Sequence, residues 1–171
     1  AEIAVKNHEH ALPNENAQMR QEITVEDALD DAPIADPLGL YDSCPLTDGA
    51  SAAVIASPEY AAEHDLDASV AVTGTGQGGD KMALQDRDYY ARSPATETAA
   101  TEAYDDAGIS TDDVDFLEVH DCFTIAEVLA LEGLGLYEFG DAIDAAANGE
   151  TTRHGRLPVN LSGGLKAKGH P

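Results

Sequence analysis

Residues 114–135, VDFLEVHDCFTIAEVLALEGLG, join an apolar run directly to an amphipathic segment. The run at 115–120 is short and rich in residues that favour a buried strand. The segment at 124–135 has apolar residues at helical spacing, and Thr124 with Glu127 three residues later predicts a capping box at its start. A strand that leads at once into a helix is the repeating unit of layered α/β proteins, so the sequence predicts an α/β fold.

Other stretches continue this alternation. The runs ASAAVIA at 50–56 and ASVAVTG at 68–74 are short, apolar and β-branched, which predicts two buried strands. Thr24 and Asp27 predict a capped helix, and Ser93-Pro94 with Gly108 mark the two ends of another. Further helices and loops follow the same rules: helices are predicted at 24–32, 93–108 and 140–149, a loop at 33–49, and a short strand with a glycine turn at 156–164.

The charge of the chain excludes some classes of partner. Thirty-three acidic and nine basic residues give a formal net charge of −24. Such a surface repels nucleic acid and anionic membranes, because phosphate contacts need Lys and Arg. Since 43% of the residues are hydrophobic, a folded core is expected all the same, and the acidic surface is interpreted as adaptation to high salt.

Two sequence features bear on the compartment. No apolar run approaches the roughly 20 residues that a membrane helix needs, and the polar start AEIAVKNHEH does not resemble a signal peptide. Two cysteines in a chain of 171 residues do not make a disulfide framework. A cytoplasmic location is therefore expected.

Four of the nine basic residues lie at 151–171, a stretch without Asp or Glu: Arg153, Arg156, Lys166 and Lys168. One interpretation is that they pair with acidic residues elsewhere in the chain. The other is a positive patch that binds an anionic ligand on an otherwise repulsive surface.

The residues His120, Asp121 and Cys122 lie at the junction of the predicted strand and helix. Ligands of α/β sheets bind beyond the carboxyl ends of strands, and a helix N-terminus there favours a thiolate or an oxyanion. Alternation along the strand places His120 and Cys122 on one face. A buried structural cysteine and a thiol that acts as nucleophile or acid/base both remain open for Cys122.

Weaker candidates lie elsewhere in the chain. The G-x-G-x-x-G spacing of Gly74, Gly76 and Gly79 lacks the second strand of a dinucleotide site, so a flexible turn is favoured. The pair His8-x-His10 lacks further metal ligands of suitable spacing, and no metal site is predicted. Cys44 is interpreted as a packed thiol. His170, on a loop beside glycines, suits base catalysis.

Taken together, VHDCF, VNLSGGLKAKGHP and VKNHEHALPNENA resemble the corresponding stretches of thiolases. The resemblance is greatest to the sterol-carrier-protein-type thiolases and their archaeal acetyl-CoA acetyltransferase relatives, and it extends over essentially the whole chain. It implies a thiolase-like layered αβαβα fold, here in a partial copy. Within that fold the expected divisions are a loop-domain remnant at 1–48, the last strand of the N-terminal half with a linker at 49–67, and a C-terminal half at 68–171 that stops after the G-H-P motif.

The resemblance also implies an activity, the reversible Claisen condensation of two acetyl-CoA molecules to acetoacetyl-CoA and CoA. His170 resembles the base that activates a nucleophilic cysteine, His120 a donor to the thioester oxyanion, and Cys122 the thiol that moves the enolate proton. The segment that carries the nucleophile has no counterpart among the 171 residues, so a fragment or a split subunit that is inactive alone is expected. Substrate-binding residues are expected in the same motif: Ser162, Gly163, Gly164 and Gly169.

Coenzyme A would be the carrier of the substrate, and neither a metal nor a tightly bound cofactor is implied. The expected assembly is a homo-oligomer, a dimer or tetramer, in the metabolism of lipids or isoprenoid precursors. Two alternatives stay open. One is a non-catalytic scaffold subunit in a complex with hydroxymethylglutaryl-CoA synthase, and the other is a different condensing enzyme or a thiol hydrolase on the same fold.

Overall fold

Helices make up most of the regular structure. The computed structural model describes the backbone of residues 1–171 and every side chain except that of Leu84. The helices are α1 Glu2–Ala11, α2 Val25–Leu29, α3 Pro58–Glu63, α4 Pro94–Ala107, α5 Thr124–Gly133, α6 Asp141–Ala147 and α7 Gly164–Lys168. The strands β1 Pro33–Ala35 and β2 Leu38–Gly39 pair antiparallel in a small hairpin. No helix in this description is both long and apolar enough to cross a bilayer.

Local signals explain where several of these helices begin and end. The Thr24 side chain accepts from the Asp27 N–H and Asp27 caps in return, which confirms the predicted capping box of α2. Helix α4 begins at Pro94 and ends at Gly108, whose φ of +68° is the left-handed conformation that glycine adopts without strain. Helix α4 therefore confirms its predicted limits, whereas α2 confirms its predicted start but ends at Leu29, before the predicted end at residue 32.

The predicted capping box of α5 is wrong. Phe123 takes the N-cap position, and Thr124, as the first helical residue, donates its hydroxyl to Asp42 at 2.8 Å. Glu127 is fully buried and hydrogen-bonded to other elements. Tertiary contacts therefore outweigh the local pattern here. The Glu127 carboxylate binds buried donors from other elements and does not turn back to cap its own helix.

The core lies between α1, α5, α6 and the segment around Val159. Its fully or nearly buried members are Ile3, Val128, Leu131, Ala142 and Val159. Helix α1 also packs against α7, where Ala11, Ala17 and Ala167 form a second small cluster. No helix was predicted at the start of the chain, because 2–11 carries Lys, Asn and two His where an apolar stripe would be expected.

The predicted buried strands at 50–56 and 68–74 are wrong for this chain. Neither segment pairs with another strand among the described residues, and both are exposed, as Val54 at 99% and Val72 at 70% show. A strand is held by its neighbours, so apolar, β-branched segments without a partner stay extended and unpaired.

The other predicted strands are reduced to isolated bridges. Leu117 in the 115–120 segment pairs parallel with Val159, and the Leu117 N–H donates to the Pro158 oxygen at 2.9 Å. The predicted loop at 33–49 contains the β1–β2 hairpin and an extended piece at 43–47. Layers of helix on short parallel and antiparallel pairings remain, as in a partial α/β fold.

The glycine-rich stretch TGTGQGG is an extended ribbon against α4, and the flexible turn predicted there is wrong. Gly74, Gly76 and Gly78 approach the α4 backbone so closely that a Cβ would collide with it. The atoms met in turn are the carbonyl oxygens of Ala103, Ala99 and Ala95. Alternate glycines thus let backbone pack on backbone.

We expect Gly76→Ala to lower the free energy of unfolding by about 1–3 kcal/mol, because the added methyl must push the ribbon off α4. Gly79→Ala is the matched control, since a Cβ there has no atom within 4 Å. Urea titrations of both variants measure the difference. Equal stability of the two would contradict the close packing.

Candidate active site

Three parts of the chain meet at the extended segment 43–47. On one side the Cys44 N–H donates to the Cys122 oxygen at 3.0 Å. On the other, the Thr47 N–H donates to the His170 oxygen at 3.0 Å, and the His170 N–H donates to the Pro45 oxygen at 2.9 Å. A segment predicted as loop therefore joins the H-D-C-F and G-H-P motifs.

His120 and His170 lie side by side. Their ring centroids are 4.9 Å apart and the rings meet edge to face at 81°. The Nδ1 of His170 lies 2.9 Å from the Pro171 oxygen; as donor to this carbonyl it leaves Nε2 free to take a proton. His120 is exposed and His170 is half-buried, so both rings can meet a ligand at this edge.

The cysteines of the chain are neighbours at the same place. Cys44 and Cys122 are both free thiols and both half-buried. Burial raises the pKa of the Cys44 thiol, with a smaller contribution from the nearby Cys122. The sequence analysis interprets Cys44 only as a packed thiol, since nothing in YDSCPLTDG indicates that it pairs with the H-D-C-F segment.

Asp121 connects the H-D-C-F motif to the segment that precedes the G-H-P motif. Its buried carboxylate accepts from the Asn7 amide at 2.7 Å and from the N–H groups of Leu165 at 2.6 Å and Lys166 at 3.4 Å. Only glycine fits at position 164, where a Cβ would collide with this carboxylate. Burial raises the pKa of Asp121 against the effect of these donors. The carboxylate thereby holds the start of α7, which leads to His170.

A second buried carboxylate, Glu127, ties α5 to α1. It accepts from the Lys6 ammonium, from Asn7 at 3.1 Å and from Asn160 at 2.9 Å. Lys6 also donates to the Val159 oxygen at 3.1 Å. Burial lowers the pKa of Lys6, and Glu127 opposes this. Because Asn7 donates to both Glu127 and Asp121, this buried polar network also holds Asp121 in place.

The sequence analysis did not predict this buried polar network. The one sequence feature that could have indicated it is the run Lys6-Asn7-His8, because these three polar residues follow one another in a segment that forms a buried helix. Three polar residues on a buried helix require partners, but their sequence positions do not reveal which residues those partners are.

His8 and His10 are both buried, and each ring donates a hydrogen bond to a backbone carbonyl oxygen. Their Nδ1 atoms lie 3.2 Å from the Gln21 oxygen and 3.1 Å from the Val159 oxygen. In the described part of the chain, no three His, Cys, Asp or Glu side chains are grouped as a metal site. Burial, helped by the Lys166 ammonium, lowers the pKa of His8 to about 4.

This pKa predicts a loss of stability in acid. Between pH 6.5 and about 4 the unfolded His8 binds more protons than the folded one, so acidification favours unfolding. We expect His8→Asn, whose amide can still donate to Gln21, to show a smaller fall in the free energy of unfolding across this range. Urea titrations at several pH values measure it, and parallel curves for wild type and variant would contradict it.

The residues predicted to bind substrate contact protein atoms instead of lining a described cavity. Ser162 donates its hydroxyl to Glu118 at 2.7 Å. Gly163, at φ +100°, and Gly169, at φ +111°, have left-handed backbones that pack against Ala11 and Thr47. Their role toward a substrate, like that of Gly164, stays a prediction.

The basic residues of 151–171 do not form one patch. Lys166 is fully buried, its ammonium lies 5.6 Å from the Tyr41 ring centroid, and it has no hydrogen-bond partner among the described residues. Arg156 pairs with Glu150 at 3.0 Å, as the alternative interpretation expected. Arg153 is exposed. The positive-patch interpretation is therefore wrong for Lys166.

Comparison with known proteins gives a consistent result. Residues 76–171 match the family model described as "Thiolase C-terminal domain-like". The whole chain is 42% identical to the acetyl-CoA acetyltransferase of Methanothermobacter thermautotrophicus and 34% identical to sterol carrier protein 2 of Gallus gallus, covering 44% and 32% of those proteins. The chain thus spans less than half the length of the relatives it matches.

A solved structure agrees in fold. The Ltp2-ChsH2(DUF35) aldolase superposes with a TM-score of 0.85 at 28% identity, over 96% of this chain and 44% of that one. The thiolase resemblance and the partial α/β layers predicted from sequence are confirmed. With a family model that matches more than half of the residues, the chain belongs to the thiolase family.

Proposed function

We propose that the chain supplies the C-terminal catalytic residues of an acyl-CoA acyltransferase that condenses two acetyl-CoA molecules to acetoacetyl-CoA and releases CoA. The observation that carries this is the pair of histidine rings 4.9 Å apart, one from each motif, beside a free thiol on the same segment. The name of the archaeal relative supports the choice of substrate.

In the first half-reaction His170 takes the proton of a nucleophilic cysteine through Nε2. The thiolate attacks the thioester carbon of acetyl-CoA, and CoA leaves as its sulfur takes the proton. The nucleophile belongs to a segment outside these 171 residues, so the chain acts together with that segment. Hydrogen bonds from His120 stabilise the carbonyl oxygen as negative charge develops on it.

In the second half-reaction Cys122 removes a proton from the methyl group of the second acetyl-CoA, and His120 stabilises the enolate oxygen. The enolate carbon attacks the acetyl-enzyme, a carbon–carbon bond forms, and the nucleophilic thiolate leaves. Ser162 and the glycines at 163, 164 and 169 shape the backbone that binds the thioester. The protein acts in the cytoplasm as a homo-oligomer.

A second candidate is a role in a heteromeric complex. The similar structure is that of the Ltp2-ChsH2(DUF35) aldolase, whose name joins two components, and this favours a partner chain and a different carbon–carbon cleavage. A scaffold subunit for hydroxymethylglutaryl-CoA synthase is the version of this role that the family resemblance suggests.

The test is an assay of the full protein that carries this chain. Acetoacetyl-CoA and CoA are offered together, and loss of the thioester absorbance is followed with and without CoA. CoA-dependent cleavage is the expected result. A folded protein that forms no acetyl-CoA would contradict the acyltransferase and leave the scaffold, which a pull-down with the synthase then tests.

A further inference from the structure

Cys44 and Cys122 lie opposite each other on neighbouring extended segments. Ser43 and Phe123 form an isolated antiparallel bridge. One step along it, the Cys44 N–H donates to the Cys122 carbonyl oxygen at 3.0 Å. The pairing register therefore places the two cysteines directly across from each other.

The register is held on both sides of the bridge. On the far side from the cysteines, the Thr124 hydroxyl donates to the Asp42 carboxylate at 2.8 Å. The two segments therefore keep one register over three successive pairs: residue 42 lies opposite 124, 43 opposite 123 and 44 opposite 122. A slip by one residue would turn each side chain to the opposite face, and these contacts oppose it.

Directly opposed residues of an antiparallel pair point their side chains to the same face. Their Cα atoms lie about 4.5–5.5 Å apart, within the roughly 4.4–6.8 Å that a disulfide spans. The geometry of Cys44 and Cys122 therefore lets their sulfur atoms join with little movement of the backbone.

The two thiols are also accessible and coupled. Both are half-buried and free, so a small oxidant can reach them. Burial raises the pKa of Cys44, the neighbouring Cys122 adds to this, and the Lys166 ammonium opposes it.

We infer that Cys44 and Cys122 form a redox-active dithiol that a hydroperoxide converts into an intramolecular disulfide, and that this oxidation stops the carbon–carbon bond-forming step. The second part rests on the proposed function. One sulfur is oxidised by the peroxide to a sulfenic acid, with release of water or alcohol. The other thiol attacks that sulfur and displaces water, so the two thiols lose two protons and two electrons in total, which the one hydroperoxide accepts.

The oxidised protein would lose one half-reaction and keep the other. A disulfide leaves the Cys122 sulfur unable to accept the methyl proton, so the enolate cannot form. His170 is untouched, and transfer of an acetyl group to the nucleophilic cysteine continues. Reduction by dithiothreitol restores both steps.

The test treats the full protein with hydrogen peroxide and follows intact mass and peptide maps. We expect a loss of two hydrogen atoms and a peptide that links Cys44 to Cys122, both reversed by dithiothreitol. Cys44→Ser removes the link. The matched control is Ser43→Cys combined with Cys44→Ser, in which the thiol moves one residue along and faces away from Cys122.

The outcomes separate the two proposals. A link between Cys122 and a different cysteine, or two free thiols after treatment, would overturn the dithiol. A Cys44–Cys122 link that leaves condensation intact would overturn the switch and, with it, the role of Cys122. A reduced protein without thiolase activity that still forms the link would refute the proposed function and leave the dithiol standing.

Discussion

Glu127→Ala is expected to cost about 3–5 kcal/mol of unfolding free energy, because it leaves the Lys6 ammonium buried without its partner. The same change removes the acceptor of two further donors, the amides of Asn7 and Asn160. Urea unfolding at neutral pH measures the loss.

The variant has a distinctive pH dependence. Without Glu127, burial is opposed only by the weaker effects of Asp121 and Glu118, so the pKa of Lys6 falls further below its usual range. The folded state then binds fewer protons than the unfolded state up to the ordinary lysine pKa, so the stability of the variant rises with pH. Wild type shows less of this rise, since Glu127 holds the proton on Lys6.

Two comparisons separate this effect from general damage. Glu150→Ala breaks the exposed pair with Arg156 and is expected to cost less than about 1 kcal/mol. Lys6→Met combined with Glu127→Gln removes both charges and keeps an amide acceptor for the two asparagines, so it should cost less than Glu127→Ala. A double variant as unstable as the single one would contradict the unpaired charge as the cause.

The helices with local end signals could be predicted from the sequence, and the strands could not. Helix α4 carries proline and glycine at its two ends, so its limits need no distant contact. The segments 50–56 and 68–74 have the composition of strands, but a strand forms only where a neighbour offers hydrogen bonds. Composition predicts what a segment favours, while pairing depends on residues far along the chain.

The same holds for the candidate active site, in which some residues could be predicted from the sequence and others could not. The residues proposed as catalytic, at 120, 122 and 170, could be picked out from their motifs, and the structure places the rings of His120 and His170 next to each other. The groups that support them, Asp121, Glu127 and Cys44, act through contacts with residues at distant sequence positions. Burial of a carboxylate beside an amide and an ammonium is a property of the fold, and the sequence alone could not reveal it.

His170→Asn is expected to lower kcat about 10²–10⁴-fold in the full protein, because the proposed group that takes the proton of the nucleophile and returns it to the CoA sulfur is lost. The free Nε2 of His170 is the atom that performs this, since Nδ1 is occupied by the Pro171 oxygen. His64→Asn is the matched control: His64 is exposed, follows the last residue of α3 and stacks on Tyr60. A turnover within a few-fold of wild type for His170→Asn would contradict the assignment.

Cys122→Ala tests the proposal that Cys122 serves only the second half-reaction and His170 the first. Because the thiol acts only on the second acetyl-CoA, this variant should still take up one acetyl group, visible in its intact mass, while condensation falls by a similar factor. His170→Asn should lose acetyl uptake as well, since the nucleophile is no longer deprotonated. If both variants lost acetyl uptake equally, Cys122 would be needed for the first step, and the division of labour between the thiol and the imidazole would be refuted.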